Sequence, residues 1–444
     1  MKGTNVYQQF YALLATYLQR YNRTVIFSFL SLIVLPALSA TPMTLDIAWK
    51  IAEQNNPDLK RAKAGLQAIQ GELRDGNAVL YNNPTVNFEG RRRNVYQPNH
   101  SDASLNEWGG GIAQTFEIAG QQGLRRQSAQ ASLAAQDEEI SEIGRGIRAQ
   151  VEEQFVGVLA IQKQIEVEQG TLALIERNTQ LSSKRVEAGE DSKLDGNLAI
   201  VDAERARNQL GLLQEQLTRA KSSLYLLLQA PQEDVHDVTG NIEPVKFNYT
   251  LDELLASAKL RTANKALSLR EDSAHDRLAL ERSLVYPDVT VSLSYSREAG
   301  LDGDSKITSL GFSLPIPLFR KNATGIGRAT TELSQVEIDH QAFERDTQAS
   351  IRAAWERREN LQQRLQRLKN EVSPKLEENL KLSQLAFQSG EIGLPQLLLV
   401  QRQTIDAQRD LVDAMRDLRL TQIELEYAAG WPVTSGSNAD SSNK

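Results

Sequence analysis

The side chains able to do chemistry are few and scattered. His100, His236, His275 and His340 share no i, i+4 spacing, and the 444 residues contain no cysteine. A transition-metal site needs several N, S or O donors converging on one point, so neither a resident metal nor a cofactor is expected. Met1, Met43 and Met415 form no thioether ladder. No Gly-rich phosphate loop is present, and Gly109-Gly110-Gly111 reads as a strand start where small residues permit close packing. No nucleophile elbow or supported Ser/His/Asp arrangement is found. Glu138-Glu139 and Glu152-Glu153 fall in Arg-rich helical stretches and read as solvated faces or ion pairs. The acids that stand apart flank two glycines: Glu190, Asp191 and Asp195 after Gly189, and Glu391 after Gly390. Multiplied by symmetry at the mouth of a tube, they would form an acidic ring favouring cations, by the logic of charged pore rings. An exposed polar turn is the other reading. The chain is expected not to be an enzyme.

The glycines belong to a duplication. Thr44-Leu45-Asp46 returns as Thr250-Leu251-Asp252, Tyr81-Asn82-Asn83-Pro84 as Tyr286-Pro287, and Arg185 to Glu190 as Ala386 to Glu391. Ala230-Pro231 returns within Gly430-Trp431-Pro432. Residues 41–240 and 241–433 thus form two repeats, each ordered helix, strand pair, very long helix, helix.

Helices are expected over 44–80 and 250–284, the first breaking at Asn55-Asn56-Pro57 because proline disfavours helix in the residue before it. Long helices follow at about 125–188 and 326–389, with apolar stripes such as Ile143, Ile147, Val151 and Phe155, or Leu361, Leu365 and Leu368. At 1.5 Å per residue each reaches roughly 95 Å, against an average globular helix of about 12 residues. Gly170 and Pro374 lie at similar depths, and a kink or break is expected near each. The chain then turns at about 186–195 and 387–396 into helices over 193–229 and 394–429, with Gly189 and Gly390 as left-handed caps.

Period-two alternation marks strands at about 84–93, 108–118, 287–296 and 306–316. Val289, Val291, Leu293 and Tyr295 alternate with Thr290, Ser292 and Ser294. A soluble sandwich sheet could carry this pattern. Three features favour a membrane instead. Strands of about ten residues match a tilted crossing. Tyr81, Tyr96, Trp108, Tyr286 and Tyr295 gather toward strand ends, as interface girdles do. Four strands cannot close a barrel, and an open edge in hydrocarbon costs several kcal/mol per unpaired group. Two copies give eight strands and a filled interior, while three give twelve and a passage, so a conduit calls for a homotrimer.

The start reads as an export signal, residues 1–40. Val25 to Pro36 is uncharged and apolar, Ala37-Leu38-Ser39-Ala40 offers a cleavage site, and Lys2, Arg20 and Arg23 form a positive flank. A retained anchor is the alternative, though the run is shorter than the roughly 20 residues a span needs. Removing three cations and no acids takes the net charge from −7 to −10, which gives no electrostatic case for nucleic acid. Lipidation on an N-terminal cysteine is excluded by composition. Residues 434–444 are Ser/Asn/Asp-rich and expected to be disordered.

The chain resembles the TolC-like outer-membrane efflux channels, within them the outer-membrane components of cobalt–zinc–cadmium and related heavy-metal resistance systems. The resemblance rests on Thr44-Leu45-Asp46 through Asn55-Asn56-Pro57-Asp58-Leu59, Asn83-Pro84, Gln114 to Gln122 with Arg125-Arg126, and Arg185 to Gly189 with Leu194-Asp195. It implies a mainly α fold with a membrane β-barrel part. A trimeric twelve-stranded outer-membrane barrel, four strands per chain, would be continued by a periplasmic α-helical barrel. It implies a passive exit duct for heavy-metal cations, in contact with outer-membrane lipid, a periplasmic adaptor and an inner-membrane proton-driven pump of the resistance–nodulation–division type. Adaptor docking would fall on Arg185, Val186, Gly189, Leu194 and Asp195, and on Ala386, Phe387, Gly390 and Leu394. Gln396 stands where Asp195 stands in the first repeat, so the two docking grooves are unequal. Alternatives are a duct for drugs, other organic solutes or type I protein secretion, and, in another class, a periplasmic adaptor or a soluble coiled-coil scaffold.

Overall fold

A computed structural model describes residues 42–96, 98, 101–190, 192–230 and 238–431. The export signal, the C-terminal tail and Asp191 lie outside the described residues, as do His100 and His236.

The first repeat opens with α1 (Leu45–Asn55) and α2 (Pro57–Gly76). Asn56 stands between them in extended geometry, its side chain accepting from the Asp58 and Leu59 amides, while Pro57 starts α2, where a missing N–H costs nothing. Strands β1 (Thr85–Val95) and β2 (Ala103–Phe116) follow, then α3 (Gln121–Glu187) and α4 (Lys193–Leu228). The second repeat runs α5 (Leu251–Ala258), α6 (Thr262–Ser283), β3 (Val289–Glu298), β4 (Ser305–Ser313) and α7 (Ala323–Arg367). A π turn over Leu368–Val372, α8 (Ser373–Gln388) and α9 (Leu394–Ala428) complete it.

Helix 250–284 is not continuous as expected. Arg261 takes the extended conformation that Asn56 takes in the first repeat. Its guanidinium is drawn into Glu142 of α3 and lies 4.4 Å over the Tyr427 ring. Tertiary pairing, which carries no local signal, makes this break.

The two expected interruptions of the long helices separate. At Pro374 the expectation is met just upstream, where the chain widens into the π turn Leu368–Val372. Proline lacks the N–H for the i−4 carbonyl and its ring crowds it, and a wider turn accommodates both. At Gly170 the expectation fails. Helix α3 runs α-helically for 67 residues, about 100 Å, with no break. Glycine keeps its N–H and costs only about 1 kcal/mol relative to alanine, and α3 packs along its length on α4, α6 and α9.

The helices share apolar clusters rather than one thick core. Met43, Ala48 and Ala52 meet Phe155, Leu224 and Leu228. Leu254 and Ala258 meet Ile351 and Leu425. The connection after α4 is laid across the bundle. Val238 bridges Met43, and Val245 accepts from Gln422.

Candidate functional site

The four strands form one antiparallel sheet in the order β1-β2-β3-β4, so β1 and β4 each leave an edge unpaired within the chain. The register aligns Val86, Ile112, Leu293 and Leu310 in one row, and Phe88, Gly110, Tyr295 and Thr308 in the next row on the same face. This face is apolar and uncovered, Phe88 being 77% and Phe312 72% exposed. The opposite face carries Asn87, Glu89, Arg91, Arg93, Glu107, Ser292 and Ser294. On it Arg93 pairs with Glu107 at 2.8 Å. An apolar outside and a charged inside are what a membrane barrel wall requires.

Two expectations about the strands are corrected. The glycine triplet lies inside β2, because β2 begins at Ala103. The triplet does serve close approach, since a Cβ on Gly111 would sit 2.9 Å from Asn87 Oδ1 and 3.0 Å from the Leu293 carbonyl. Trp108 and Tyr295 are also inside their strands rather than at the ends. They touch across β2 and β3 with ring centres 5.8 Å apart, and Phe88 lies 6.4 Å from Trp108. This aromatic row marks where the apolar face ends, short of the strand ends. Tyr81, before β1, is covered by Arg125 at 3.5 Å.

At the far end of the long helices are two glycine turns. Gly189 (φ 79°) and Gly390 (φ 77°) are left-handed. The amide of Glu190 donates to the Arg185 carbonyl and that of Glu391 to the Ala386 carbonyl, both at 2.8 Å, so the last helical carbonyls are satisfied. Beyond this the tips diverge. Ser192 caps α4, accepting from the Asp195 amide and donating to Asp195 Oδ2 at 2.7 Å. Gly393, at the same place before α9, has no side chain to cap with. Leu194 is 67% exposed, whereas Leu394 is 2% exposed.

Leu394 is buried with Phe387, Leu397 and Ala199, the last from α4, so the two tips of one chain pack together. Arg185 crosses the same junction, donating to the Phe387 carbonyl at 3.0 Å and lying 5.1 Å over its ring. Ala386 and Val186 are half-buried. The docking residues inferred from the resemblance therefore split. Leu194, Gly189 and Gly390 are outward, while Phe387 and Leu394 are buried within the chain. Among the acids, Glu190 lies 3.7 Å from Arg185, Asp195 is engaged in its cap, and Glu391 is exposed.

The stacked helices hold charged groups, of which sequence reading placed Glu152 only as a solvated face or ion pair. Glu152 is buried between α3 and α9 and accepts from Arg419. Burial pushes its carboxyl up to about 7, against the attraction of Arg419 and with the repulsion of Glu426. Glu142, by contrast, is held below the usual carboxylate range. Burial raises it, but Arg261, Thr262 and Arg145 outweigh that. Helical periodicity could have flagged Glu152, which lies three residues after Ala149 and four before Val156, on the apolar face of α3 that packs on α9. His340 lies between Glu271 (3.0 Å) and Asn264 (3.1 Å), linking α7 to α6. Among the described residues no three His, Cys, Asp or Glu converge as a metal site, and no helix is long and apolar enough to cross a membrane.

A sheet with one lipid-type face, joined to helices of up to about 100 Å, defines the protomer of a membrane β-barrel continued by a helical tunnel. The chain belongs to the outer membrane efflux protein family, whose model matches residues 49–229 and 257–431, one stretch per repeat. It is similar to the cobalt-zinc-cadmium resistance protein CzcC of Cupriavidus metallidurans, 24% identical over 375 residues, 84% of this chain and 87% of that protein. Among solved structures, CusC superposes with a TM-score of 0.73 at 17% identity, over 87% of this chain and 92% of CusC. VceC of Vibrio cholerae also reaches 0.73, at 19% identity, over 87% of this chain and 96% of VceC. The family match and these relatives make the chain an outer-membrane efflux channel.

Proposed function

We propose that this channel is a homotrimer and forms the passive exit duct of a tripartite resistance–nodulation–division system that expels heavy-metal cations. The observation that carries the assembly is the sheet. Its two edges are open and its outward face is bare, and three copies would pair every edge into twelve strands around a passage. The first forty residues serve as the export signal, and no cysteine is available for lipidation. A periplasmic adaptor would engage the hairpin tips, and an inner-membrane pump would supply the energy. The duct does no chemistry of its own. Metal cargo is supported by the likeness to CzcC along most of both chains.

The test is complementation. Cells carrying a metal pump and adaptor but lacking their channel should regain tolerance to cobalt, zinc or cadmium when this chain is supplied. Restored tolerance to organic toxicants alone, with no change for metals, would overturn the cargo.

A further inference from the structure

Past the aromatic row, the outward face of the sheet turns from apolar to cationic. Strand alternation and register put Arg92, Arg297 and Lys306 on the face of Val86, Phe88 and Leu293, at the loop end of the sheet. All three are exposed. Arg297 and Lys306 are direct cross-strand partners, and like charges directly opposite each other destabilise a strand pair. Asp304 pairs with Arg297 at 2.8 Å to its Nε. Arg92 Nε donates to the Ser104 hydroxyl at 2.6 Å, which leaves its terminal nitrogens outward. Among the described residues no carboxylate pairs with Arg92 or Lys306.

The inward face at the same height is different. Arg93 there meets Glu107, and Arg91 lies 3.9 Å from Glu89. The opposite end of the outward face, with Gln114, Phe116, Val289 and Phe312, carries no cation. The cations lacking an internal partner are thus confined to one face and one end.

Their depth is also defined. From Phe116 to Trp108 is about 27 Å along the strand, and a tilt of about 40° reduces this to about 20 Å. The cations begin where the hydrocarbon layer ends.

We propose that Arg92, Arg297 and Lys306 form a site for the phosphate groups of a lipid headgroup in the loop-side leaflet. This rests on reading the sheet as an outer-membrane barrel wall. A phosphate offers several acceptor oxygens to the Arg92 fork and to Lys306, the two cations without a carboxylate, with Arg297 beside them already joined to Asp304.

The experiment uses the full chain, delipidated in detergent and re-exposed to lipid A bearing two phosphates or to the same lipid dephosphorylated, with retained lipid counted by native mass spectrometry. The wild-type chain should retain the phosphorylated lipid at least tenfold better. The combined variant Arg92→Gln, Arg297→Gln, Lys306→Gln should lose that preference, while Arg91→Gln on the inward face should keep it. Equal retention of both lipids by the wild-type chain overturns the site, and this arm decides the matter even where the variant does not fold. A chain that never enters a bilayer contradicts the barrel itself. One that inserts but ignores the phosphates contradicts only this site.

Discussion

The two hairpins share one order of elements, yet they differ in continuity, capping and burial. The first is an unbroken 67-residue helix that turns through a Ser192–Asp195 cap and presents an exposed Leu194. The second contains a π turn ahead of Pro374, lacks a side-chain cap, and buries Leu394 and Phe387 against Ala199 of its sister. The apolar side chains of the second tip are thus covered by the first within one chain. The backbone turn itself, a left-handed glycine with a returned carbonyl bond, is the same in both.

The comparison can be broken by substitution. Phe387→Ala empties the junction and should cost about 3–5 kcal/mol of local stability, seen as faster amide exchange at both tips. Leu194→Ala, at an exposed site, should stay within about 0.5 kcal/mol. Equal losses would show that the tips do not differ as described. Gly170→Pro would give the first hairpin the interruption that the second has. Without an evolved π turn it should cost about 3 kcal/mol or more, read from the thermal midpoint.

The bundle that supports both hairpins should respond to pH through Glu152. Its carboxyl is raised to about 7 from an ordinary 4.5, so the folded chain holds the proton more tightly than the unfolded one. The contribution of Glu152 itself to stability is then fully present below pH 4.5 and is lost as pH rises toward and through 7, by up to about 3 kcal/mol, while the lowered Glu142 contributes in the opposite sense in acid. Glu152→Gln should flatten that slope in pH-dependent melting. An unchanged slope would assign the effect elsewhere. The smallest effect is Ser192→Ala, which should loosen only the first tip by about 1 kcal/mol. Gly393→Ala should change little, since φ there is −81° and the Cβ meets the movable Gln396 amide at 3.0 Å and the Pro395 ring at an ordinary contact of 3.5 Å.

Much of this architecture could be read from the chain. Alternation located the strands, the Asn56-Pro57 pair marked the first break, and Gly189 and Gly390 marked both turns, because each rests on local backbone chemistry. What escaped depends on partners distant in sequence. Arg261 breaks its helix through Glu142, 119 residues away. Gly170 stays helical because it keeps its N–H and the helix that contains it packs on its neighbours. The start of β2 and the place of Trp108 follow from pairing with β1. At the tips, the glycines were legible but the burial of Leu394 was not, since the matching place in the first repeat, counted from the glycine, is held by the exposed Lys193.

All of this presumes that the open sheet is closed by copies of itself. The most direct measurement is the mass of the detergent-extracted particle from outer membranes. Three protomers per particle, with heat-labile association, are expected. A monomer recovered from the soluble periplasmic fraction would contradict the account.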